Sequence, residues 1–233
     1  MVTLASREFE LELLQKYDLV AGIDEVGRGC LAGPVYVCVA VIDKSVKDCA
    51  VALADSKKLT FKKRIEYFDT VANWVLAYEI GISTNEEIDL YGINTALKMA
   101  GNRAICKLYQ ANIKPDIFIL DGKYNWLCPE TDLFSESNQF LTNSEHFCEN
   151  SMNVKETKNI NVITKIKADE KVSVVAAASI LAKVTRDKYM IALKDDKYDF
   201  SNNKGYSSPK HIAGLKKYGL GKMHRKSWKM PMV

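Results

Sequence analysis

Two short apolar runs in this sequence each end in an acidic residue that glycine follows closely. Residues 19–23 lead into Asp24 and Glu25, and a second run ends at Asp121, directly before Gly122. Apolar runs of this length bounded by glycine are typical of buried strands. A carboxylate at the end of such a strand needs a cation or several hydrogen bonds to offset its lost hydration. The pattern therefore predicts an α/β sheet with functional carboxylates at its strand ends, where ligand sites collect in such sheets.

The rest of the chain alternates between strand-like and helix-like patterns. Besides the strands at 19–23 and 116–121, strands are predicted at 34–42, 74–82 and 159–165. Helices are predicted at 60–72, with Thr60 as a cap, at 85–112 and at 170–194. Gly92 and Gly101 argue against one unbroken helix over 85–112, because glycine disfavours helix interiors. Three consecutive alanines at 176–178 predict that a neighbouring element approaches the last helix closely.

The composition is that of a globular protein, with 47% hydrophobic and 27% charged residues over 233 positions. Charged residues interrupt the first 16 positions, so no signal peptide is expected, and no segment has the roughly 18 apolar residues of a membrane span. The six cysteines include no Cys-x-x-Cys pair. We therefore expect no zinc site, reduced thiols and a cytoplasmic location.

The basic residues concentrate near the end of the sequence. Of the 33 Lys and Arg residues, eight lie at 201–233, a stretch without any acidic residue, and the rest of the chain is net acidic. His211, His224, Tyr206, Tyr218 and Trp228 lie among them. This mixture suits phosphate contacts and stacking on nucleic acid, although a solvated basic surface is an equal alternative.

A fourth acidic residue, Asp169, precedes the helix predicted at 170–194. Its position alone is explained equally well by an N-cap, which aspartate favours. Taken together, Asp24, Glu25, Asp121 and Asp169 form a set of hard oxygen ligands of the kind that Mg²⁺ or Mn²⁺ prefers. Such a cluster points to phosphoryl chemistry with two metal ions. Asp24 and Glu25 can serve one site only if the strand ends or bulges there, because neighbours on a strand face opposite ways.

These residues lie within motifs that resemble ribonuclease HII. The matching blocks occur in the family's order at 21–29, 32–34, 55–59, 120–122, 167–169, 177–187, 205–209 and 224–228. The resemblance implies a ribonuclease H-like fold, with a mixed five-stranded sheet flanked by helices and a C-terminal helical basic extension. The chain itself shows no domain boundary before about residue 199, so we expect a catalytic domain at 1–199 and a basic substrate-binding extension at 200–233. Residues 123–158, which are rich in Asn, Ser, Glu and Thr, are expected to form a polar insert that is longer than is usual for the family between the third and fourth carboxylates.

The resemblance also implies an activity and its residues. It predicts cleavage of the RNA strand of RNA–DNA hybrids and incision 5′ to single ribonucleotides in duplex DNA, with two Mg²⁺ or Mn²⁺ ions. The four carboxylates would be both metal ligands and catalytic residues. The substrate-binding residues that it implies are Gly27, Arg28, Gly29, Lys57, Ser179, Lys183 and Tyr206. The glycine triplet would read a 2′-hydroxyl, Tyr206 would pack on the ribose at the RNA–DNA junction, and the lysines with the N-terminus of the 170–194 helix would hold phosphates.

Two other functions compete with this prediction. Ribonuclease HIII shares the carboxylates but usually has an additional N-terminal domain and lacks the arginine that Arg28 supplies here. A non-catalytic nucleic-acid-binding module would explain the basic tail but not the carboxylates at strand and helix ends, and isothermal titration with Mn²⁺ distinguishes it. We expect a monomer that contacts no membrane, while contact with a replication clamp is left open.

Overall fold

The computed structural model describes residues 4–53, 56, 59–128 and 160–231. Of the predicted features, Lys57 and residues 129–158 of the insert lie outside this part of the chain.

The described residues form strands and helices in an order close to the predicted one. The strands are β1 (Val20–Val26), β2 (Val35–Ile42), β3 (Ala77–Ser83), β4 (Ile117–Asp121) and β5 (Val162–Lys165). The helices are α1 (Glu8–Leu14), α2 (Phe61–Trp74), α3 (Asn85–Tyr91), α4 (Ile93–Gln110), α5 (Ala168–Lys171), α6 (Ser173–Ala192), α7 (Phe200–Asn203) and α8 (Pro209–Tyr218).

One mixed sheet joins the five strands in the order β3-β2-β1-β4-β5. The β1–β2 and β2–β3 pairs are antiparallel, and the β1–β4 and β4–β5 pairs are parallel. The predicted mixed five-stranded sheet is therefore confirmed. Because β1, β4 and β5 run in the same direction, their carboxyl ends meet at one edge of the sheet.

Helices cover both faces of this sheet. One hydrophobic core lies between the sheet and helices α2 and α6, and a second lies between the sheet and α4. Helix α6 packs so closely on β1 that a Cβ added to Gly22 would lie 2.6 Å from the backbone carbon of Val174. Ala176, Ala177 and Ala178 are fully buried on this helix. The predicted close approach is confirmed, and it fixes α6 directly behind the strand that carries Asp24.

Glycines act differently along the helix predicted at 85–112. Helix α3 ends before Gly92, whose φ of 78° lies in the region that glycine alone adopts easily. Gly101 does not interrupt α4, and a Cβ there would lie 2.7 Å from Leu127 Cδ1. The first glycine thus ends a helix, whereas the second provides room for a packed side chain.

The helix predicted at 170–194 is also two helices. Val172 has extended backbone angles, φ −120° and ψ 119°, and separates α5 from α6. The N-cap of α5 is Lys167, and Asp169 lies inside the first turn of that helix. The N-cap explanation of Asp169 is therefore wrong.

The cysteines depart from the expectation that all are reduced. Cys106 is disulfide-bonded, while Cys30, Cys38, Cys49 and Cys128 are free. None of the helices in the described residues is long and apolar enough to cross a membrane.

The last part of the chain packs on the loop that follows β1. A third hydrophobic cluster joins Leu31 and Ala32 of this loop to Met190 of α6 and to Tyr198, Phe200 and Leu215. The residues after 199 therefore help to support the β1–β2 connection.

Candidate active site

Two of the predicted carboxylates lie at adjacent ends of parallel strands. Ile23 of β1 is paired with Leu120 of β4, and each is followed in sequence by an aspartate, Asp24 or Asp121. Side chains alternate along a strand. Since Val26 and Ile119 belong to the core on the α6 side, Asp24 and Asp121 face that same side.

Asp24 is strongly perturbed by its surroundings. Only 6% of the residue is exposed, and burial raises the pKa of its carboxyl group well above the usual range. The neighbouring charge of Glu25 raises this pKa further, as do those of Asp121 and Asp169, while a hydrogen bond from Ser179 opposes the shift. All four predicted carboxylates therefore lie near enough to interact electrostatically.

Ser179 supports Asp24 from α6. Its hydroxyl oxygen lies 2.8 Å from that of Ser56, and both serines are 2% exposed. Because each hydroxyl has one proton, a Ser179 that donates to Asp24 accepts from Ser56. The hydroxyl of Ser179, which was predicted to bind substrate, thus forms hydrogen bonds with Asp24 and Ser56.

Glu25 follows Asp24 directly on β1, so its side chain faces the other side of the sheet. The pairing of β1 with β2 continues without interruption through Asp24, Glu25 and Val26, so the strand neither ends nor bulges at the acidic pair. The side chain of Glu25 is 16% exposed and lies 3.4 Å from the Arg28 guanidinium. The side chains of Asp24 and Glu25 therefore leave the strand on opposite sides, and the charge of Glu25 still lies near enough to raise the pKa of Asp24.

Asp121 and Asp169 are joined through the start of α5. Asp121 Oδ1 accepts a hydrogen bond of 2.6 Å from the backbone N–H of Ala168. This bond holds the first turn of α5 against the end of β4, and Asp169, which is 5% exposed, lies in that turn.

The cluster has the chemistry of a divalent-cation site. Crowded carboxylates repel one another, and a buried ionised one is stable only beside a cation or several donors. As the side chains lie, no group of three or more His, Cys, Asp or Glu in the described residues is arranged to hold an ion. Asp121 and Glu25 instead turn to Ala168 and Arg28. The strand ends fix the backbone positions of these residues, and rotation about a few side-chain bonds is enough to re-aim a carboxylate. The donor set fits Mg²⁺ or Mn²⁺.

The loop at 27–29 directly follows the strand that carries Asp24, and a buried arginine forms hydrogen bonds to its backbone. Arg225 is fully buried, and its guanidinium donates to the carbonyls of Gly27 at 2.6 Å, Arg28 at 2.8 Å and Gly33 at 3.0 Å. Burial lowers the pKa of Arg225 to about 10, so it stays charged at neutral pH. The loop carbonyls are therefore fixed, and Arg28 and Gly29 remain exposed.

The two glycines of this loop differ in what requires them. Gly27 has a φ of 90°, and a Cβ there would overlap Arg186 Nε at 2.2 Å. Gly29 has no atom within 4 Å of an added Cβ. The fold therefore requires the first glycine, whereas the space at Gly29 is open to an approaching molecule.

The ring of Tyr206 has two cations near it. The Lys183 ammonium is 5.2 Å from the ring centroid and the Arg186 guanidinium is 5.8 Å from it. Burial raises the pKa of the Tyr206 hydroxyl, although 39% of the residue is exposed. The ring therefore stays neutral and presents a face to solvent.

Lys183 is held in place by an acidic residue that the sequence analysis did not single out. Asp187 accepts 2.8 Å from Lys183 Nζ and lies 3.6 Å from the Arg64 guanidinium. Arg64 also donates 2.7 Å to the carbonyl of Ser56. Asp187 thus ties Lys183 of α6 to the segment that precedes α2.

The N-terminus of α6 and part of the basic tail, two features that suggested phosphate binding, are buried by other parts of the protein. The N-terminus of α6 is covered, since the Val174 N–H donates 2.9 Å to the buried carboxylate of Glu10 and the Ser173 N–H donates to Ser6. In the basic tail, Arg225, His211 and His224 are fully buried and cannot meet phosphate. The exposed cations of the tail are Lys210, Lys216, Lys217, Lys222, Lys226 and Lys229.

Sequence reasoning missed the buried residues that support the site. Arg186 donates to the carbonyls of Pro34, Lys204 and Ala32, and Arg225 acts similarly on the 27–33 loop. Both occur within the motif blocks noted above, but nothing local distinguishes a buried arginine from an exposed one.

A mixed five-stranded sheet flanked by helices, with carboxylates at the ends of its parallel strands, defines an enzyme with the ribonuclease H-like fold. The family model described as Ribonuclease HII matches residues 21–231. A ribonuclease HII of Streptomyces coelicolor is 39% identical over 212 residues, which are 90% of this chain and 76% of that protein. A ribonuclease HII of Clostridium beijerinckii is 38% identical over 91% of this chain and 68% of its own length.

Solved structures agree. The ribonuclease H2 of Pyrococcus horikoshii OT3 is 28% identical, with a TM-score of 0.62 over 91% of this chain and 94% of that chain. An RNase HIII structure in complex with Mn²⁺, Bst-RNase HIII, is 18% identical with a TM-score of 0.63 over 92% of this chain and 69% of that one, and shows the fold alone. The chain belongs to the ribonuclease HII family and is an endonuclease of the ribonuclease H type.

Proposed function

We propose that the protein hydrolyses the RNA strand of RNA–DNA hybrids and incises duplex DNA 5′ to a single embedded ribonucleotide. We further propose that Asp24, Glu25, Asp121 and Asp169 hold two divalent ions, Mg²⁺ or Mn²⁺, and that the products carry 5′-phosphate and 3′-hydroxyl ends. Family membership supports the ribonuclease H chemistry, and the finer substrate choice comes from the residues around the carboxylates.

The single observation that carries the proposal is the state of Asp24. A carboxyl group that is 6% exposed has three other carboxylates as electrostatic neighbours, and its pKa is raised by burial and by those charges. Such an arrangement destabilises a folded protein unless cations offset it. Cations bound at these carboxylates would offset that destabilisation.

Divalent ions held by these four carboxylates would lower the pKa of an attacking water and would stabilise the departing 3′-oxygen. The side chains of the protein prepare this. Ser179 orients Asp24 through a hydrogen bond, and the Ala168 N–H orients Asp121 through its Oδ1 atom. Lys183, fixed by Asp187, offers a cation to a phosphate near Tyr206.

The 27–29 loop and Tyr206 would select RNA. Telling RNA from DNA requires contact with a 2′-hydroxyl, which both donates and accepts. The open space at Gly29 lets a ribose approach the backbone, and the half-exposed ring of Tyr206 provides a surface on which a sugar packs. An enzyme that reads one 2′-hydroxyl in this way needs only one ribonucleotide.

The direct test is incubation with duplex DNA that contains one ribonucleotide, in Mg²⁺ or Mn²⁺, with the cut mapped on a sequencing gel. We expect a single cut on the 5′ side of the ribonucleotide. Failure to cut this substrate with either metal, in a preparation that cleaves long hybrids, would contradict the junction-reading part of the proposal.

Tyr206→Ala tests the selecting residue, with Tyr218→Ala as a matched control. Both tyrosines are partly exposed on the C-terminal segment, at 39% and 47%. Loss of a stacking surface worth about 1–3 kcal/mol should lower single-ribonucleotide incision by roughly ten- to a hundredfold. Cleavage of long hybrids should fall less, because more contacts position them. Equal losses on both substrates, or the same loss in the control, would remove Tyr206 from substrate selection.

A further inference from the structure

Two fully buried histidines lie directly behind Tyr206. His211 of α8 and His224 are both 0% exposed, and their Nε2 atoms are 2.9 Å apart. The rings are enclosed by aromatic side chains, with Tyr198 4.5 Å from His224 and Phe200 5.3 Å from His211, measured between ring centroids. Neither imidazole can reach substrate or solvent, so whatever they do is done through the protein.

The outer partners of the pair fix where the protons lie. His211 Nδ1 is 2.8 Å from the carbonyl oxygen of Tyr206, which can only accept, so this nitrogen carries a proton. His224 Nδ1 lies 2.9 Å from the Gly221 N–H, which can only donate, and 3.2 Å from the Gly221 carbonyl oxygen, which can only accept. The shorter of the two contacts assigns no proton to this nitrogen, and the 2.9 Å contact between the two Nε2 atoms then receives its one proton from His224. The central bond then has one donor, His224 Nε2–H, and one acceptor, His211 Nε2. Both rings are neutral and have different tautomers.

The result is a directional relay of hydrogen bonds that ends on the backbone of Tyr206. It runs from the Gly221 N–H through His224 and His211 to the Tyr206 carbonyl. The same carbonyl accepts 2.8 Å from the Ser208 N–H, and the Tyr206 N–H donates 3.0 Å to Asn203. The backbone of Tyr206 is thus held on both sides while its ring remains partly exposed.

We propose that the His211–His224 pair is a positioning device that aligns Tyr206 for reading a single ribonucleotide. This rests on the proposed role of Tyr206 in substrate selection. The relay fixes the carbonyl from which the tyrosine side chain projects, so its loss should misplace the ring without touching the carboxylates. The expected signature is a selective fall in single-ribonucleotide incision.

Nitrogen-15 NMR tests the relay itself without any activity measurement. The sequence has only three histidines, so labelled histidine gives three rings, and His146→Gln identifies the third. We expect opposite neutral tautomers for the two buried rings, protonated at Nδ1 in His211 and at Nε2 in His224. Identical tautomers, or a charged ring at neutral pH, would overturn the relay.

Two substitutions of His224 test positioning. His224→Gln keeps an N–H near the Nε2 position that can donate to His211, whereas His224→Leu cannot donate. Loss of one hydrogen bond, worth about 1 kcal/mol, should lower the ratio of single-ribonucleotide to long-hybrid cleavage roughly five- to tenfold in His224→Leu. His224→Gln should stay within about threefold of wild type. In a Tyr206→Ala background, His224→Leu should change the ratio no further.

The outcomes separate the two proposals. If Tyr206→Ala changes the substrate ratio and His224→Leu lowers both activities equally, with a lowered melting temperature, the pair is structural and the positioning role is wrong. If Tyr206→Ala leaves the ratio unchanged, the role of Tyr206 fails and positioning fails with it, while the NMR tautomers still report whether the relay exists. A His224→Leu protein too unstable to assay leaves His224→Gln to decide, since loss of the ratio in that variant also contradicts the proposal.

Discussion

The carboxylate edge of the sheet and the 27–29 loop lie side by side, but they are stabilised in opposite ways. At the edge, like charges are gathered, and burial together with these charges raises the pKa of Asp24. At the loop, the fully buried Arg225 satisfies the carbonyls of Gly27, Arg28 and Gly33. The first region carries an electrostatic cost that a ligand must remove, and the second is complete without a ligand. Substitution of a residue that acts on the reaction should therefore lower activity with little loss of stability. Substitution of a residue that supports the loop should lower stability more than activity.

Asp121→Asn should give the largest effect on cleavage. The change removes a charge from the carboxylate edge and keeps the shape of the side chain, so we expect a loss of about a thousandfold or more in cleavage, or about 4 kcal/mol of transition-state stabilisation. Hybrid binding should change little. Asp116→Asn is the control, because Asp116 precedes the other end of β4 and accepts from the Asp18 and Leu19 N–H groups. Cleavage by Asp121→Asn within about tenfold of wild type would rule out the metal role of Asp121.

Arg225→Met should have the largest effect on stability. It leaves the loop carbonyls without their buried donor, at a cost of about 3–5 kcal/mol in the free energy of unfolding. Arg103→Met is the control, since Arg103 also donates to a carbonyl, that of Ile82, and pairs with Glu87 in a more exposed setting. We expect that control to cost about 1 kcal/mol or less. Denaturant unfolding measures the free energy of unfolding of both variants. Equal losses in the two variants would show that the buried hydrogen bonds of Arg225 stabilise the protein no more than the more exposed ones of Arg103.

Gly29→Ala should separate activity from stability within the loop. An added Cβ at Gly29 meets nothing within 4 Å, so the melting temperature should stay unchanged. If a ribose approaches the backbone there, the methyl group should lower kcat/KM by roughly tenfold, or about 1.4 kcal/mol. The measurement is kcat/KM on the single-ribonucleotide duplex beside a thermal melt. Unchanged values of both would mean that substrate does not come close to Gly29.

Asp24→Asn should stabilise the protein slightly in the absence of metal. The folded pKa of Asp24 is raised above its unfolded value, so the group contributes stability at low pH that is lost as pH rises through the raised pKa. In EDTA the wild-type melting temperature should therefore fall from acid towards neutral pH more steeply than that of Asp24→Asn. At neutral pH the variant should melt a few degrees higher, since about 1 kcal/mol shifts a protein of this size by about 2–4 °C.

Added Mg²⁺ should reverse this difference, because only the wild type gains binding energy from the ion. A variant that melts below the wild type in EDTA at neutral pH would indicate that the Asp24 carboxylate is stabilised without metal. The electrostatic account of the carboxylate edge would then be wrong.

The sequence alone determined the sheet and the acidic residues at its edge. Apolar runs predicted all five strands that the described residues contain, because burial in a sheet leaves a local run of apolar side chains. Asp24 and Asp121 were recognisable because each ends such a run. The break at Gly92 was also foreseen, since glycine is unfavourable within helices.

Only the tertiary structure decided which cations are buried and what they hold. In sequence, Arg225 is one of eight basic residues in a stretch that suggests nucleic-acid binding, yet it is enclosed beneath a loop nearly 200 positions earlier, its guanidinium bonded to carbonyls there. The pairing of His211 with His224 and the anchoring of Lys183 by Asp187 likewise depend on how helices meet. Local patterns record which residue types face a core, but a hydrogen bond between distant segments depends on the packing of both and leaves no period in either.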